Sequence, residues 1–161
     1  MVEAYIALGS NIEDKKANIN RALCLLKGKV RIIKSSSLFE TKPMYMEEQG
    51  WFLNAVAEVE TELSPGSLLA FLKSIEQKLG RKPGKRNGPR IIDLDILFYG
   101  SQVVDEGDLH IPHPKMAERA FVLVPLSEIA ENFVHPLNHK TVAQLLTSLD
   151  YDHSEIKRYV S

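Results

Sequence analysis

Residues 52–61 read Phe-Leu-Asn-Ala-Val-Ala-Glu-Val-Glu-Thr, and this alternation is the starting point for the fold. Leu53, Ala55, Ala57 and Val59 share one face of an extended chain, and the more polar residues share the other. Such period-two patterning predicts a half-buried antiparallel strand. The other elements are placed by reference to this strand.

Strand and helix patterns alternate on both sides of it. Strand patterns cover residues 2–8, 30–39 and 91–99, and in the last stretch Ile96 and Phe98 are predicted to share a face. Helix patterns begin at the N-caps Asn11 and Ser64 and end near residues 28 and 80. The order strand, helix, strand, strand, helix, strand predicts an α+β fold with a ferredoxin-like βαββαβ core and an antiparallel sheet. Short strands near 102–104 and 109–111 should follow, then helices at 118–124, at 126–130 and after Thr141.

Composition limits the class of protein. The chain has 161 residues, of which 44% are hydrophobic and 25% charged, so we expect one globular domain over residues 1–161. A net charge of −1 argues against bulk binding to nucleic acid or membrane. The single cysteine, Cys24, excludes an internal disulfide and a cysteine zinc site. With no basic leader and no long apolar run, the expectation is a cytoplasmic protein that acts as a monomer.

Two connections, 40–51 and 81–90, are long for such a fold, and long connections are often functional. Tracing strand directions places both at the same end of the sheet as the turn at residues 9–11. The third and fourth strands of the core begin there. Phe52, Asn54 and Asp93 are then predicted to lie on the sheet face away from the first two helices, beneath both connections.

Asp93 and Asp95 are predicted to project from one strand face. Two neighbouring carboxylates repel unless a positive group lies between them, and Mg²⁺ is often held by such carboxylates together with phosphate oxygens. The preceding segment 73–90 carries seven basic residues and one acid, which suits an anion. A solvated strand face, or pairing of the carboxylates with nearby arginines, is the alternative.

Further motifs are weaker. His110 and His113 lack the context of a zinc site, so a phosphate donor or a packed loop histidine is the better interpretation. Lys115 and Arg119 would share a face if helical, and Phe121 is either a core residue or a stacking surface. The sequence contains no Walker-type phosphate loop.

Several short motifs together resemble one enzyme family. Residues 86–97 read Arg-Asn-Gly-Pro-Arg-Ile-Ile-Asp-Leu-Asp-Ile-Leu, and residues 4–11 read Ala-Tyr-Ile-Ala-Leu-Gly-Ser-Asn. Residues 40–44, 52–55, 111–114 and 119–121 agree as well. This set resembles the 6-hydroxymethyl-7,8-dihydropterin pyrophosphokinase family, also called 2-amino-4-hydroxy-6-hydroxymethyldihydropteridine diphosphokinase. The resemblance implies an ATP-dependent transferase of folate biosynthesis that moves pyrophosphate from ATP to the pterin hydroxymethyl group and releases AMP.

The resemblance also implies a role for particular positions. Asp93 and Asp95 would hold two Mg²⁺ ions and act in catalysis with Arg81 and Arg90. Contacts to ATP would come from Glu76, Arg81, Arg90, Ile96, His113, Lys115 and Arg119. Contacts to the pterin would come from Thr41, Pro43, Met44, Phe52, Asn54 and Phe121, with the phenylalanine rings stacked on its two faces. The two long connections would close over the site as lids.

Two other functions use the same residues. A metal-dependent phosphodiesterase would use the carboxylate pair without needing ATP. A ferredoxin-like RNA-binding module would use the basic segment and would bind RNA with a steep dependence on salt. The exposed aromatic strand motif of such modules is absent from this sequence.

Overall fold

The structure is a computed structural model that describes residues 1–43, 50–80 and 91–160. Its strands are β1 (Val2–Ser10), β2 (Arg31–Ser35), β3 (Phe39–Thr41), β4 (Phe52–Thr61), β5 (Asp93–Tyr99), β6 (Val104–Glu106), β7 (Leu109–Ile111) and β8 (Ile156–Arg158). Its α-helices are α1 (Lys15–Leu26), α2 (Pro65–Lys78), α3 (Ala120–Ala130) and α4 (Val142–Ser148). Short 3₁₀ turns span Met116–Glu118 and His153–Glu155.

The long strands β1 and β4 form the centre of the main sheet. Their antiparallel register runs from Val2 opposite Thr61 to Ser10 opposite Leu53. The strand order is β5-β1-β4-β3-β8, and β2 pairs with β4 on the same side as β3. Each of these pairings is antiparallel. The predicted α+β class and ferredoxin-like core are therefore confirmed.

Helices cover one face of the sheet fully and the other in part. The first face packs against α1 and α2 through a core that includes Leu8, Ile19, Leu53 and Leu72. On the second face, a core of Tyr5, Val56, Leu97 and Phe98 packs against α3 and α4. Helices α3 and α4 thus cover the apolar part of the face on which Asn54 and Asp93 are predicted to lie.

The predicted alternation of β5 fails at its end. Pairing with β1 shifts between Tyr5 and Ile6, so that Tyr5 lies opposite Phe98 and Ile6 lies opposite Ile96. Such a shift marks an extra residue on one strand, after which side chains change face. Ile96 consequently packs on the α1–α2 side and Phe98 on the α3–α4 side. The prediction that these two side chains share a face is wrong.

The predicted strand at residues 30–39 is divided in the structure. β2 pairs with the second half of β4, and β3 pairs with its first three residues. Between them, the Ser36 N–H donates to the Val56 carbonyl at 2.8 Å, and the Ser36 hydroxyl accepts from the Val56 N–H at 2.9 Å. The chain then re-enters the sheet, so Glu40 and Thr41 lie in a strand and not in the predicted connection.

Two helices differ from their predicted bounds. α1 begins after Asp14, whose carboxylate accepts the Ala17 N–H at 3.1 Å, and not after Asn11. Glu13 has a φ of 58°, so the turn continues past Asn11 before the helix starts. α3 runs without interruption through Pro125, which was predicted to separate two helices.

Among the described residues, no helix combines the length and the apolar character that a membrane crossing requires.

The C-terminal residues form a strand that the sequence pattern does not indicate. β8 pairs with β3, with Arg158 opposite Phe39 and Ile156 opposite Thr41. β3 consequently has a partner on each side, β4 and β8. The end of the chain is thereby joined to the part of the sheet from which the connection after residue 41 departs.

Candidate active site

One row of residues crosses the sheet near the end predicted to carry the site. Phe39 on β3 lies opposite Asn54 on β4, Asn54 lies opposite Gly9 on β1, and Gly9 lies opposite Asp93 on β5. Directly opposed residues of antiparallel strands project from the same face. Asn54 and Asp93 therefore share a face and have only a glycine between them, in agreement with the topological prediction.

Gly9 provides the space in which the Asn54 side chain lies. A Cβ atom added to Gly9 would be 2.8 Å from the Asn54 amide nitrogen Nδ2. The Thr41 hydroxyl donates a hydrogen bond to Asn54 Oδ1, and these two side chains are buried. Because the amide oxygen is engaged by Thr41, the Asn54 NH₂ group is held over Gly9 as an oriented donor.

The two phenylalanines predicted to stack on the pterin are Phe52 and Phe121. Phe52 lies opposite Thr41 in the β3–β4 pairing, so it shares the face of Asn54. Phe121 lies in the first turn of α3, next to Arg119, whose guanidinium carbon is 5.6 Å from the centre of the Phe121 ring. Both rings are half-buried. Phe52 thus lies on the sheet face of the Asn54 amide, and Phe121 lines a cavity together with Thr41, the hydrogen-bond partner of Asn54.

The two carboxylates of β5 lie beside the smallest residues of β1. Asp93 is opposite Gly9 and Asp95 is opposite Ala7. Both aspartates are half-buried. Their oxygen ligands suit a hard cation such as Mg²⁺, and the small neighbours leave room for it on that face. Within the described residues, no cluster of three or more His, Cys, Asp or Glu side chains could hold a metal ion.

His113 is oriented by the backbone around it. The main-chain N–H of His113 donates to the Leu97 carbonyl at 3.0 Å, and this hydrogen bond joins residue 113 to β5. Its ring atom Nδ1 accepts the Lys115 N–H at 3.2 Å. Burial, followed by the charge of Arg119, lowers the pKa of His113 to about 4, although Asp93 acts in the opposite direction. At neutral pH the ring is therefore uncharged, with its proton on Nε2, where it can donate to an anion.

Positive groups collect near Asp93. Arg119 directly precedes α3, and its charge and that of Lys115 both act on His113, as does Asp93. The N-terminal end of α3, with its exposed backbone N–H groups and helix dipole, adds a further preference for negative charge. The arrangement is suited to an anion, such as a polyphosphate, bound beside two carboxylate ligands for a cation.

A cavity of about 250 Å³ lies at the pterin side of the predicted site. Thr41, Pro43 and Phe121 line it, as expected if they contact one ligand. Tyr151 and Glu155 of the C-terminal segment line it as well, and sequence reasoning did not include them. No motif or periodicity marks those residues. They lie just before β8, which is itself only three residues long.

Some predicted residues lie elsewhere or cannot be placed. The Glu76 carboxylate accepts the Leu94 N–H at 2.8 Å, which joins α2 to the edge strand β5. The Ile96 side chain lies in the α1–α2 core, on the opposite face of the sheet from Asp93 and Asp95. Met44, Arg81 and Arg90 lie outside the described residues.

Comparisons with known proteins agree on one family. The sequence matches the family model described as 7,8-dihydro-6-hydroxymethylpterin-pyrophosphokinase (HPPK) over residues 5–131. It is 46% identical over 153 residues to the 2-amino-4-hydroxy-6-hydroxymethyldihydropteridine pyrophosphokinase of Methylorubrum extorquens. The aligned residues cover 93% of this chain and 95% of that protein. The protein of the same name from Haemophilus influenzae is 41% identical over 159 residues, which is 98% of each chain.

Other relatives are much longer than this chain. The folic acid synthesis protein FOL1 of Dictyostelium discoideum is 45% identical over 145 residues, which cover 90% of this chain and 22% of that protein. The chain spans about a fifth of the length of such relatives. The crystal structure of Plasmodium falciparum HPPK-DHPS with pteroate matches with a TM-score of 0.74 at 18% identity, over 91% of this chain and 42% of that one. At this identity the structural match shows the fold alone.

Proposed function

The chain belongs to the 7,8-dihydro-6-hydroxymethylpterin-pyrophosphokinase family, and we propose that it performs the reaction for which the family is named. It transfers the pyrophosphoryl group of ATP to the hydroxymethyl group of 6-hydroxymethyl-7,8-dihydropterin in folate biosynthesis. The observation that carries this proposal is the row Asn54, Gly9, Asp93. It places an oriented amide for a flat polar ring next to carboxylates suited to a metal-bound polyphosphate.

The amide end of the row binds the pterin. The ring is flat and has hydrogen-bonding groups along its edge, so it requires stacking surfaces and oriented polar partners. Phe52 and Phe121 supply the surfaces, and Asn54, held by Thr41, supplies an oriented amide. Pro43 lies in the same cavity as Thr41 and Phe121. Met44 completes the proposed set by family resemblance alone.

The carboxylate end of the row binds ATP. Asp93 and Asp95 would hold Mg²⁺, which we propose as two ions, and the metal would supply charge neutralisation at the polyphosphate and a lower pKa for the substrate hydroxyl. His113 donates its Nε2 proton to a phosphate oxygen, and Lys115 and Arg119 supply positive charge. Glu76 and Ile96 are proposed as nucleotide contacts on family resemblance alone. Arg81 and Arg90 are proposed, on the same basis, to stabilise charge on the group that is transferred.

The reaction exchanges one bond at the β-phosphorus for another. The hydroxymethyl oxygen forms a bond to the β-phosphorus while the bond from that phosphorus to the α–β bridging oxygen breaks. AMP leaves with the electron pair on that oxygen, and the hydroxyl proton is released. The protein contributes mainly by aligning the two substrates and stabilising negative charge, as in phosphoryl transfer generally. We propose that the protein performs this reaction as a monomer.

Identification of the nucleotide product tests the proposal. The protein is incubated with Mg²⁺, ATP and 6-hydroxymethyl-7,8-dihydropterin, and the nucleotides are separated by chromatography. We expect one AMP for each pterin consumed and no AMP without the pterin. Formation of ADP would indicate transfer of a single phosphoryl group, and absence of turnover with a correctly folded protein would refute the proposal.

A further inference from the structure

The C-terminal segment lies beyond the residues that the family model matches. The family model matches residues 5–131, whereas one side of the 250 Å³ cavity is formed by residues 149–152, 155 and 156. The other side includes Thr41, Pro43 and Phe121, which the proposed function assigns to the pterin. A segment without a family motif therefore borders the substrate.

Several contacts join this segment to the end of β3. Ile156 lies opposite Thr41 in the β3–β8 pairing. The Lys42 N–H donates to the Glu155 carbonyl at 2.9 Å, and Lys42 Nζ lies 3.3 Å from Glu155 Oε1. At the other end, the Tyr159 N–H donates to the Leu38 carbonyl at 2.8 Å. Main-chain and side-chain contacts thus hold the residues on both sides of β3.

This attachment bears on the orientation of the Asn54 amide. Thr41 is the last residue of β3, and its hydroxyl holds the Asn54 amide oxygen. β3 has only three residues, so β4 alone would give it few main-chain hydrogen bonds. Without β8, β3 would also be an edge strand at the point where the chain leaves the sheet. The position of the Thr41 hydroxyl consequently depends on a strand from the far end of the sequence.

We propose that β8 and the Lys42–Glu155 ion pair position Thr41 to Pro43 for pterin binding, so that the C-terminal segment is part of the substrate site. Glu155 is a positioning residue that acts through Lys42, and Lys157 is one that acts through its main-chain pairing opposite Glu40, the two neighbours of Thr41 in the chain. This inference rests on the proposed function, since it assigns the cavity to the pterin. It predicts weaker pterin binding when β8 is disrupted, with ATP binding unchanged because the carboxylates lie on β5 at the other edge of the sheet.

The test uses two proline variants of the full chain. Lys157→Pro removes the main-chain N–H of a residue that lies opposite Glu40 in the middle of β8, and a proline there disrupts the pairing. Val160→Pro is the matched control, since Val160 is 87% exposed and lies two residues beyond the end of β8. Glu155→Gln removes the charge of the ion pair and keeps the size of the side chain.

The readouts are the KM values for pterin and ATP, kcat, and the Kd of a non-reacting pterin analogue measured by calorimetry. For Lys157→Pro we expect pterin KM and analogue Kd to rise about tenfold, with kcat and ATP KM within about twofold of the original. Glu155→Gln should raise both pterin constants by about two- to fivefold, as expected for a partly exposed ion pair. Val160→Pro should change none of these values.

Unchanged pterin constants in a folded Lys157→Pro variant would overturn the inference. If that variant does not fold, Glu155→Gln decides the matter in the same way: a twofold or larger rise in analogue Kd supports the inference, and an unchanged value overturns it. An equal loss of pterin and ATP binding would indicate a purely structural role and also count against it. Failure of the unaltered chain to use the pterin would instead refute the proposed function.

Discussion

Replacement of Gly9 by alanine tests the assignment of Asn54 to substrate binding. The backbone of Gly9 is not in the left-handed region, so alanine introduces no dihedral strain there. The added Cβ would be 2.8 Å from Asn54 Nδ2, where ordinary contact begins at 3.4 Å. The amide must therefore move by about 0.6 Å or rotate, and displacements of this order at a binding site are costly.

The size of the effect follows from the hydrogen bonds of that amide. Asn54 is 8% exposed and Thr41 is 2% exposed, so water cannot readily replace a contact that is lost. A buried polar group left without its partner costs about 1–3 kcal/mol, which corresponds to a roughly 5- to 150-fold loss of affinity. We expect the Kd of a non-reacting pterin analogue to rise within that range. ATP affinity should change by less than about twofold, because the atoms nearest to the added Cβ belong to Asn54 and Phe52 and not to either aspartate.

The assay is calorimetric titration of the analogue, with thermal unfolding to confirm that the variant is folded. Gly66→Ala is the matched control, since an added Cβ meets no atom within 4 Å at that position of α2. The control should bind the analogue normally. A folded Gly9→Ala variant that binds the analogue as well as the unaltered chain would refute the role given to the Asn54 amide.

Three further predictions concern other parts of the molecule. Asp93→Asn and Asp95→Asn should each lower kcat/KM by roughly 30- to 150-fold, as expected for losing about 2–3 kcal/mol of transition-state stabilisation, while the Tm stays within a few degrees; near-normal rates would contradict the metal assignment. The Trp51 carbonyl accepts a hydrogen bond from Lys15 Nζ at 2.7 Å. The emission wavelength and lifetime of Trp51 should change when an ATP analogue and a pterin analogue bind together. If neither quantity changes in protein shown to bind both ligands, Trp51 does not move on binding. Burial lowers the pKa of the His135 imidazole in the folded protein. As the pH falls, the imidazole is therefore protonated in the unfolded chain before it is protonated in the folded one. The free energy of unfolding should fall as the pH drops below about 6.5. His135→Asn should weaken that dependence in urea titrations; a slope equal to that of the unaltered chain would contradict the assignment.

The sequence predicts best those elements whose pattern agrees with their packing. β4 was predicted with its observed bounds, because its apolar residues alternate and both of its faces pack against other elements. α2 was predicted from Ser64, whose hydroxyl accepts the Ser67 N–H at 3.2 Å, followed by a proline suited to the first helical turn. α4 likewise begins at Thr141, as predicted, with a capping box to Gln144.

Features that depend on contacts distant in sequence were not predictable. The register shift opposite Tyr5 and Ile6 changes the face of Phe98, and no local pattern announces it. β8 has no periodicity of its own and exists because β3 offers it an edge. The same is true of the site: alternation placed Asn54 and Asp93 on one face, but the need for glycine at position 9 follows only from the register that puts it between them.

The ³¹P spectrum of the pterin product identifies the group that is transferred, because it shows how many phosphorus atoms the product carries and how they are bonded. The protein is supplied with Mg²⁺, ATP and 6-hydroxymethyl-7,8-dihydropterin, and the pterin product is purified before measurement. We expect two mutually coupled phosphorus resonances, one from the phosphate esterified to the hydroxymethyl oxygen and one from the terminal phosphate. A single uncoupled resonance, or recovery of the pterin without phosphorus, would contradict it.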